Sequence, residues 1–301
     1  MEQPETEAEA AARPRVEKNA CPGFVPFLFP GITQLCLGRP EEATALMTLG
    51  ASELGVGAGV ALTAPTGLSH PGAGVTLTAF QDLWVASVSE WALERSRAKR
   101  ERFTPPERLP ELLPAPFSPD VLRHPEVWLG LVGMVGADLL VTRVVAGPAA
   151  FDLSHLGERP NLFGRTFDPL PGSALAGGVG VTLFEHVAIA EETLFRGVLQ
   201  SGLSRTFGET PGWLLASVIF GATHSLNALV IDPQDRPIYL AVYVPFITVL
   251  GGYLGFVYRN LGYSLAPTVA LHFWYDLVVS AVAYVLDPAN NAISASVRFG
   301  F

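Results

Sequence analysis

Charge is scarce in this 301-residue chain. Charged residues make up 16% of it, against about a quarter in a typical soluble protein. Much of that charge lies in residues 1–20 and 94–126, so the rest is more apolar than the mean hydropathy of +0.35 suggests. The basic residues cluster in one loop and the formal net charge is −9, which disfavours nucleic-acid binding. Composition therefore predicts a polytopic membrane protein whose surroundings are the lipid bilayer.

Cysteine is nearly absent, and a cleavable signal peptide is not evident. Cys21 and Cys36 form no CxxC pair and have no nearby histidine, so we interpret them as small apolar residues rather than as a disulfide or zinc site. Residues 1–20 are acidic and alanine-rich, without a basic region running into an apolar core. We expect this stretch to be a disordered tail.

Apolar segments long enough to cross a bilayer recur along the chain. The predicted spans are residues 43–64, 72–93, 127–149, 174–200, 212–230, 238–258 and 264–286. The short run 24–38, interrupted by prolines, fits a re-entrant or interfacial helix or a short span. We therefore predict an all-α fold of seven to eight transmembrane helices, with a catalytic core of four helices in the C-terminal half. The predicted regions are a tail at 1–20, membrane helices at 21–94, a basic and proline-rich cytoplasmic loop at 95–126, and membrane helices at 127–301 that include the core at 174–286.

Basic residues set the expected orientation. The loop after the 72–93 span carries Arg95, Arg97, Lys99, Arg100, Arg102 and Arg108, which places it in the cytoplasm. Alternation of the spans then brings Arg205 and Arg259 to the same side. The composition, rich in proline, alanine and glycine, suggests a GC-rich bacterial source. We expect an integral protein of the bacterial inner membrane.

The segment "IAEETLFRGV" places three charges inside an apolar span, where each costs at least about 2.5–3.5 kcal/mol. Glu192 and Arg196 are four residues apart and can pair, whereas Glu191 points about 100° away from Glu192. Further polar side chains lie in the neighbouring spans, His224 in "FGATHSL" and His272 with Asp276 in "LHFWYD". Counting residues from the cytoplasmic ends puts Glu191 and both histidines within about 6 Å in depth.

Such a cluster can perform acid–base chemistry on water. A carboxylate can act as general base, and one histidine can position the water. The second histidine can donate to the oxyanion of a tetrahedral intermediate, while Asp276 orients its ring. These roles together predict hydrolysis of an amide bond inside the membrane.

The three motifs carry a resemblance. "EETLFR", "FGATH" and "HFWYD" resemble the EExxxR, FxxxH and HxxxD motifs of the CPBP family, the CAAX-processing and bacteriocin-processing intramembrane proteases, also called Abi. The resemblance implies a glutamate-dependent endopeptidase with Glu191 as base, helped by His224. It also implies His272 and residue 276 near the oxyanion, and Glu192, Arg196 and Phe220 as supporting residues. It implies no cofactor and no catalytic metal, and a membrane-associated protein substrate such as a CAAX tail, a leader or a C-terminal sorting tail.

Several alternatives remain open. The chain could be an inactive membrane scaffold that binds a partner, or a zinc-dependent protease with Glu191, His224, His272 and Asp276 as ligands. A haem holder or a transporter is a further class. Other polar residues have simpler interpretations. We take His186 as satisfied or lumen-facing, Asp138 as a bundle contact, Arg143 as a snorkelling cation, and Glu53 and Glu90 as near-interface residues.

Overall fold

The computed structural model describes Cys21 and residues 23–290, so the prediction for residues 1–20 lies outside the described part. Seven long helices occupy the seven predicted positions. They are α1 Pro40–Thr63, α2 Pro71–Ala98, α3 Pro125–Val145, α4 Pro169–Glu191, α5 Glu209–His224, α6 Val244–Asn260 and α7 Ala266–Leu286. Proline stands in the first turn of α1, α2, α3 and α4, where its missing N–H costs nothing.

Two of these helices are extended by π-helical segments. Helix α4 continues through a π-helix at Glu192–Gln200 into an α-helix at Ser201–Phe207, and a short helix at Arg236–Ile238 leads through a π-helix at Tyr239–Tyr243 into α6. The shorter elements include helices Ile32–Cys36, Leu109–Leu112 and Pro119–Leu122, and a two-stranded antiparallel hairpin of Asn161–Leu162 with Arg165–Thr166.

An all-α polytopic fold is confirmed. Within the described part of the chain, five helical stretches are long and apolar enough to cross a membrane: Pro40–Thr63, Pro125–Val145, Pro169–Phe207, Arg236–Asn260 and Ala266–Leu286. Helix α5 has only 16 residues, and α2 carries several charged residues in its last three turns. The count of seven to eight spans therefore stays a prediction.

The N-terminal apolar run does not form a spanning helix. Residues 24–38 contain a 3₁₀ turn at Val25–Phe27 and the five-residue helix Ile32–Cys36, which pack against α2. Trp84 donates its indole N–H to the carbonyl of Phe27 (2.9 Å). Gly31 turns the chain with φ +87°, and a Cβ there would lie 2.6 Å from the carbonyl oxygen of Ala43.

The interpretation of the two cysteines as unpaired was wrong. Cys21 and Cys36 form a disulfide with their Cα atoms 5.6 Å apart. Gly31 turns the chain between them, and the 15-residue separation in sequence becomes a contact. Cys36 lies close to Arg39, which pairs with Glu90 (3.1 Å) in the last turns of α2.

The connection between α2 and α3 closes one end of the bundle. Arg205 donates to the carbonyl of Arg102 (3.1 Å), and Glu107 accepts from the backbone N–H of Leu265 (3.2 Å) at the start of α7. We call this end the basic face; it carries residues 95–108 with Arg205 and Arg259. The other end, with residues 147–168, 225–235 and 287–290, is the opposite face.

Glycines bring α5 and α6 into close contact. A Cβ added to Gly221 would lie 1.8 Å from Thr248 Oγ1, and one added to Gly251 would lie 2.5 Å from the ring of Phe220. Small residues at a helix interface allow such approach within a membrane. This contact fixes the depth and direction of Phe220, one turn before His224.

Candidate active site

The EETLFR segment lies where α4 changes from α- to π-helix. Glu191 is the last α-helical residue, and the π-helix begins at Glu192. A π-helix is rare and often occurs at functional sites, because it re-aims side chains along an otherwise regular helix. The carboxylate of Glu192 still reaches the guanidinium of Arg196 (3.1 Å), and both side chains are fully buried.

Glu192 also holds His272. Its Oε1 lies 2.9 Å from Nδ1 of His272 on α7, so that nitrogen donates its hydrogen to the carboxylate. The other ring nitrogen, Nε2, then points to Glu191 at 3.8 Å. Glu192 therefore joins α4 to α7 and determines which edge of the His272 ring faces Glu191.

His224 is oriented by its own helix. Its Nδ1 lies 2.8 Å from the carbonyl oxygen of Phe220, which requires a hydrogen on that nitrogen. Its Nε2 lies 3.8 Å from the carboxylate of Glu191. Both histidines thus present Nε2 to Glu191. The Glu191 side chain is 22% exposed while that of Glu192 is inaccessible, so Glu191 is the carboxylate with access to open space.

The aromatic ring of Phe220 packs against this cluster. The guanidinium of Arg196 lies 4.5 Å from the ring centre of Phe220, a cation–π distance. Phe220 also contacts the ring of His224 at 4.6 Å and lies 6.4 Å from that of His272. The residue predicted to support the site thus touches three of its members.

Asp276 does not form the hydrogen bond to His272 that would orient this ring as the sequence analysis predicts. Its nearest oxygen lies 3.5 Å from Nε2 of His272, whereas Glu192 contacts Nδ1 at 2.9 Å. Neither oxygen of Asp276 has a hydrogen-bond partner within the described residues. Helix spacing placed Asp276 one turn from His272, but the closer carboxylate comes from another helix.

The sequence analysis did not single out Asp82, a buried polar residue near the site. Asp82 on α2 is buried. Its carboxyl group interacts electrostatically with Glu191, Glu53, His186 and His272. The available signal was a lone aspartate in the apolar stretch "TAFQDLWVA". Asp82 therefore adds a buried carboxyl group near the predicted base.

His186 and Glu53 form a contact between α4 and α1. The Nδ1 of His186 lies 2.8 Å from the carbonyl of Thr182, and its Nε2 lies 3.1 Å from Oε1 of Glu53. Since Nδ1 carries a hydrogen, the short distance at Nε2 requires one further proton on either residue. His186 is satisfied, as expected, but Glu53 lies in the middle of α1 rather than near the interface.

The remaining predicted polar residues occupy separate positions. Asp138 is buried and accepts a hydrogen bond from the hydroxyl of Tyr275 (3.4 Å), while Arg143 is exposed at the end of α3. Glu90 is buried and pairs with Arg97 (3.2 Å) as well as with Arg39. None of these three belongs to the cluster around Glu191.

The four residues considered as a zinc set do not match metal-ligand spacing. Among the described residues, only His155, Glu158 and Asp287 bring three donor atoms within 4.8 Å of one another. Zinc ligands lie about 2.0–2.3 Å from the ion, so two ligands of one ion lie within about 4.6 Å of each other. The 3.8 Å distances from Glu191 to His224 and to His272 are within that limit, but among the described residues this set does not bring three donor atoms together. A resident zinc ion would therefore require these side chains to move closer together.

Fold and site define a class: an all-α integral membrane protein with a carboxylate–imidazole cluster buried in its bundle. Residues 173–278, about a third of the chain, match the family model described as "Type II CAAX prenyl endopeptidase Rce1-like". That range contains all three motifs. The match confirms the resemblance of this core to the CPBP family.

The match also supports a CAAX-type intramembrane protease in general, that is, a hydrolase with a membrane-associated protein substrate. No curated protein and no solved structure matches the chain.

Proposed function

We propose that the protein is a glutamate-dependent intramembrane endopeptidase of the bacterial inner membrane, in which Glu191 activates water to cut a membrane-associated protein. The observation that carries this proposal is the position of Glu191 between two imidazole Nε2 atoms, each 3.8 Å away. This separation is too long for a direct hydrogen bond and leaves the three groups free to share contacts with one small molecule.

In the proposed reaction, Glu191 accepts a proton from water while the water oxygen attacks the carbonyl carbon of the scissile bond. His224 accepts the other hydrogen of that water at Nε2 and so orients it. When the tetrahedral intermediate collapses, the proton held by Glu191 passes to the departing amine nitrogen. The carboxylate is then regenerated, and no external reactant besides water is required.

His272 is the proposed donor to the oxyanion. Its ring lies within 3.8 Å of three carboxylates, those of Glu192, Asp276 and Glu191, so an imidazolium there would have counter-charges on several sides. With Nδ1–H bonded to Glu192, an Nε2–H would point toward the space beside Glu191. Arg196 and Glu192 would hold the His272 ring, and Phe220 would pack beside it.

The test compares protein termini in cells that carry variants of matched chemistry. Glu191→Gln removes the proposed base, while Glu185→Gln makes the same change on the same helix away from the site. Membrane and secreted proteins from each strain are mapped by N-terminal and C-terminal peptide analysis. We expect an uncut substrate to accumulate only with Glu191→Gln, at equal expression. Full processing by Glu191→Gln would refute the role of Glu191 as base.

The two alternatives give other results. An inactive scaffold leaves all termini unchanged in every strain, including a complete deletion. A zinc enzyme contains stoichiometric zinc when purified and loses activity in chelator, whereas we expect activity to survive chelation.

A further inference from the structure

A cavity of about 450 Å³ lies between α3 and α7, and Asp276 of the proposed active site forms part of its lining. Asp276 and Asp138 line its inner part, and Asp287 with His155 lines its outer part at the opposite face. Asp276 and Asp287 are eleven residues apart on α7, so the cavity extends about 16 Å along the helix. An extended peptide of about five residues spans that distance.

The wall of the cavity is mostly apolar. Aliphatic and aromatic side chains from α3, α4 and α7 contribute to it, among them Leu139, Phe184, Val279, Val282 and Leu286. Such a lining suits a run of apolar side chains, and Asp276 at the inner end lies 3.5 Å from Nε2 of His272 in the proposed active site.

The outer rim is acidic. Asp152, Glu158 and Asp287 supply three carboxylates against one imidazole, that of His155. His155 Nδ1 lies 2.9 Å from Glu158, and this contact raises the pKa of His155. The backbone N–H of Ser154 lowers the pKa of Asp152, which keeps its carboxylate charged. Arg143 lies at the same end of α3 but is not among the lining residues.

We propose that this cavity binds the substrate as an extended apolar stretch of about five residues, with a lysine or arginine of the substrate held at the acidic rim. The proposal rests on the proposed function, since it places the substrate beside Asp276. Charge complementarity selects the occupant: an anionic peptide or lipid headgroup would meet three carboxylates, whereas a cationic side chain gains their attraction.

The test uses binding, so that it does not depend on cleavage. Fluorescent peptides with five apolar residues, ending in two arginines, two glutamines or two glutamates, are titrated against Glu191→Gln protein in nanodiscs of uncharged lipid. We expect the arginine peptide to bind about tenfold more tightly than the glutamine peptide. The preference should fall to less than threefold in an Asp152→Asn/Asp287→Asn variant. An Asp120→Asn/Glu111→Gln variant, changed in exposed carboxylates near the basic face, should keep it.

Cavity access is tested on α7. Ala283 lines the cavity, whereas Ala281 is exposed on the same helix and does not. Ala283→Trp should abolish binding of the arginine peptide and Ala281→Trp should preserve it. Equal binding of the three peptides, a preference unaffected by the rim substitutions, or normal binding by Ala283→Trp would each overturn the proposal.

Two further outcomes separate this proposal from the proposed function. Cleavage by wild-type protein without any charge preference would be consistent with the proposed protease but would refute substrate binding at the acidic rim. A preference for the arginine peptide that depends on the rim residues, without cleavage, would support binding in the cavity and count against the protease. If the glutamate peptide binds most tightly and chelator reverses that order, the rim residues hold a divalent cation instead, and the proposal is wrong.

Discussion

The Glu192→Gln variant should unfold at a much lower temperature than the Glu191→Gln variant. Glu192 is fully buried, 3.1 Å from Arg196 and 2.9 Å from His272. The amide keeps the shape but removes the charge, which leaves the buried guanidinium of Arg196 without its ion-pair partner. Removing one member of a buried pair costs about 3–5 kcal/mol. Glutamine at Glu191 disturbs no contact shorter than 3.8 Å, so its cost should be within about 0.5 kcal/mol.

Thermal unfolding in detergent measures the difference. With a shift of about 2–4 °C for each kcal/mol, Glu192→Gln should lower Tm by about 6–20 °C, and Glu191→Gln by about 2 °C or less. The double variant Glu192→Gln/Arg196→Gln removes both charges and should recover part of the loss, because no unpaired ion remains.

Activity separates the two glutamates in a second way. Both single variants should fail to process substrate, but only Glu191→Gln should do so as a fully stable protein. If Glu192→Gln melts within a degree of wild type, or if the double variant is no more stable than Glu192→Gln, then the buried pair does not hold this site together and the reasoning fails.

Three further predictions concern packing and orientation. Gly221→Ala should strongly destabilise the protein in the same melting assay, since its Cβ would collide with Thr248, while Gly133→Ala, which meets no atom within 4 Å, should not; equal melting would contradict the α5–α6 contact. Glu53→Ala should cost about 1–3 kcal/mol by leaving Nε2 of His186 without its partner, whereas Ser52→Ala, exposed on the same helix, should be neutral; a neutral Glu53→Ala would contradict the contact between Glu53 and His186. In a Cys21→Ser/Cys36→Ser background, Ala149→Cys at the cavity mouth should react with an impermeant thiol reagent in intact cells, and Lys99→Cys only after permeabilisation. The reverse pattern would place the basic face, with its Cys21–Cys36 disulfide, in an oxidising compartment.

Sequence reasoning located the helices and the motif residues because burying charge in an apolar span is costly and therefore conspicuous. The positions of Glu191, His224 and His272 followed from that cost and from counting depth along each span. The exact pairing did not follow. Spacing within α7 suggested Asp276 as the partner of His272, but the structure gives that contact to Glu192 on α4.

Contacts between separate helices were the least predictable. His186 and Glu53 lie on α4 and α1, and nothing in either segment specifies that the two side chains meet. The π-helix at Glu192–Gln200 was equally hidden, because its changed hydrogen-bond register depends on packing rather than on a local signal. The disulfide was missed because the path of a proline-interrupted chain depends on what it packs against.

By itself, the sequence determined that this is a helical membrane protein and which residues are the candidates for its chemistry, since hydropathy and local spacing act within single segments. Only the tertiary structure decided which ring nitrogens face Glu191, which carboxylate holds His272, and where a cavity opens to Asp276. Those features depend on the rotation and approach of neighbouring helices, which are set by glycine contacts and buried pairs distant in the chain.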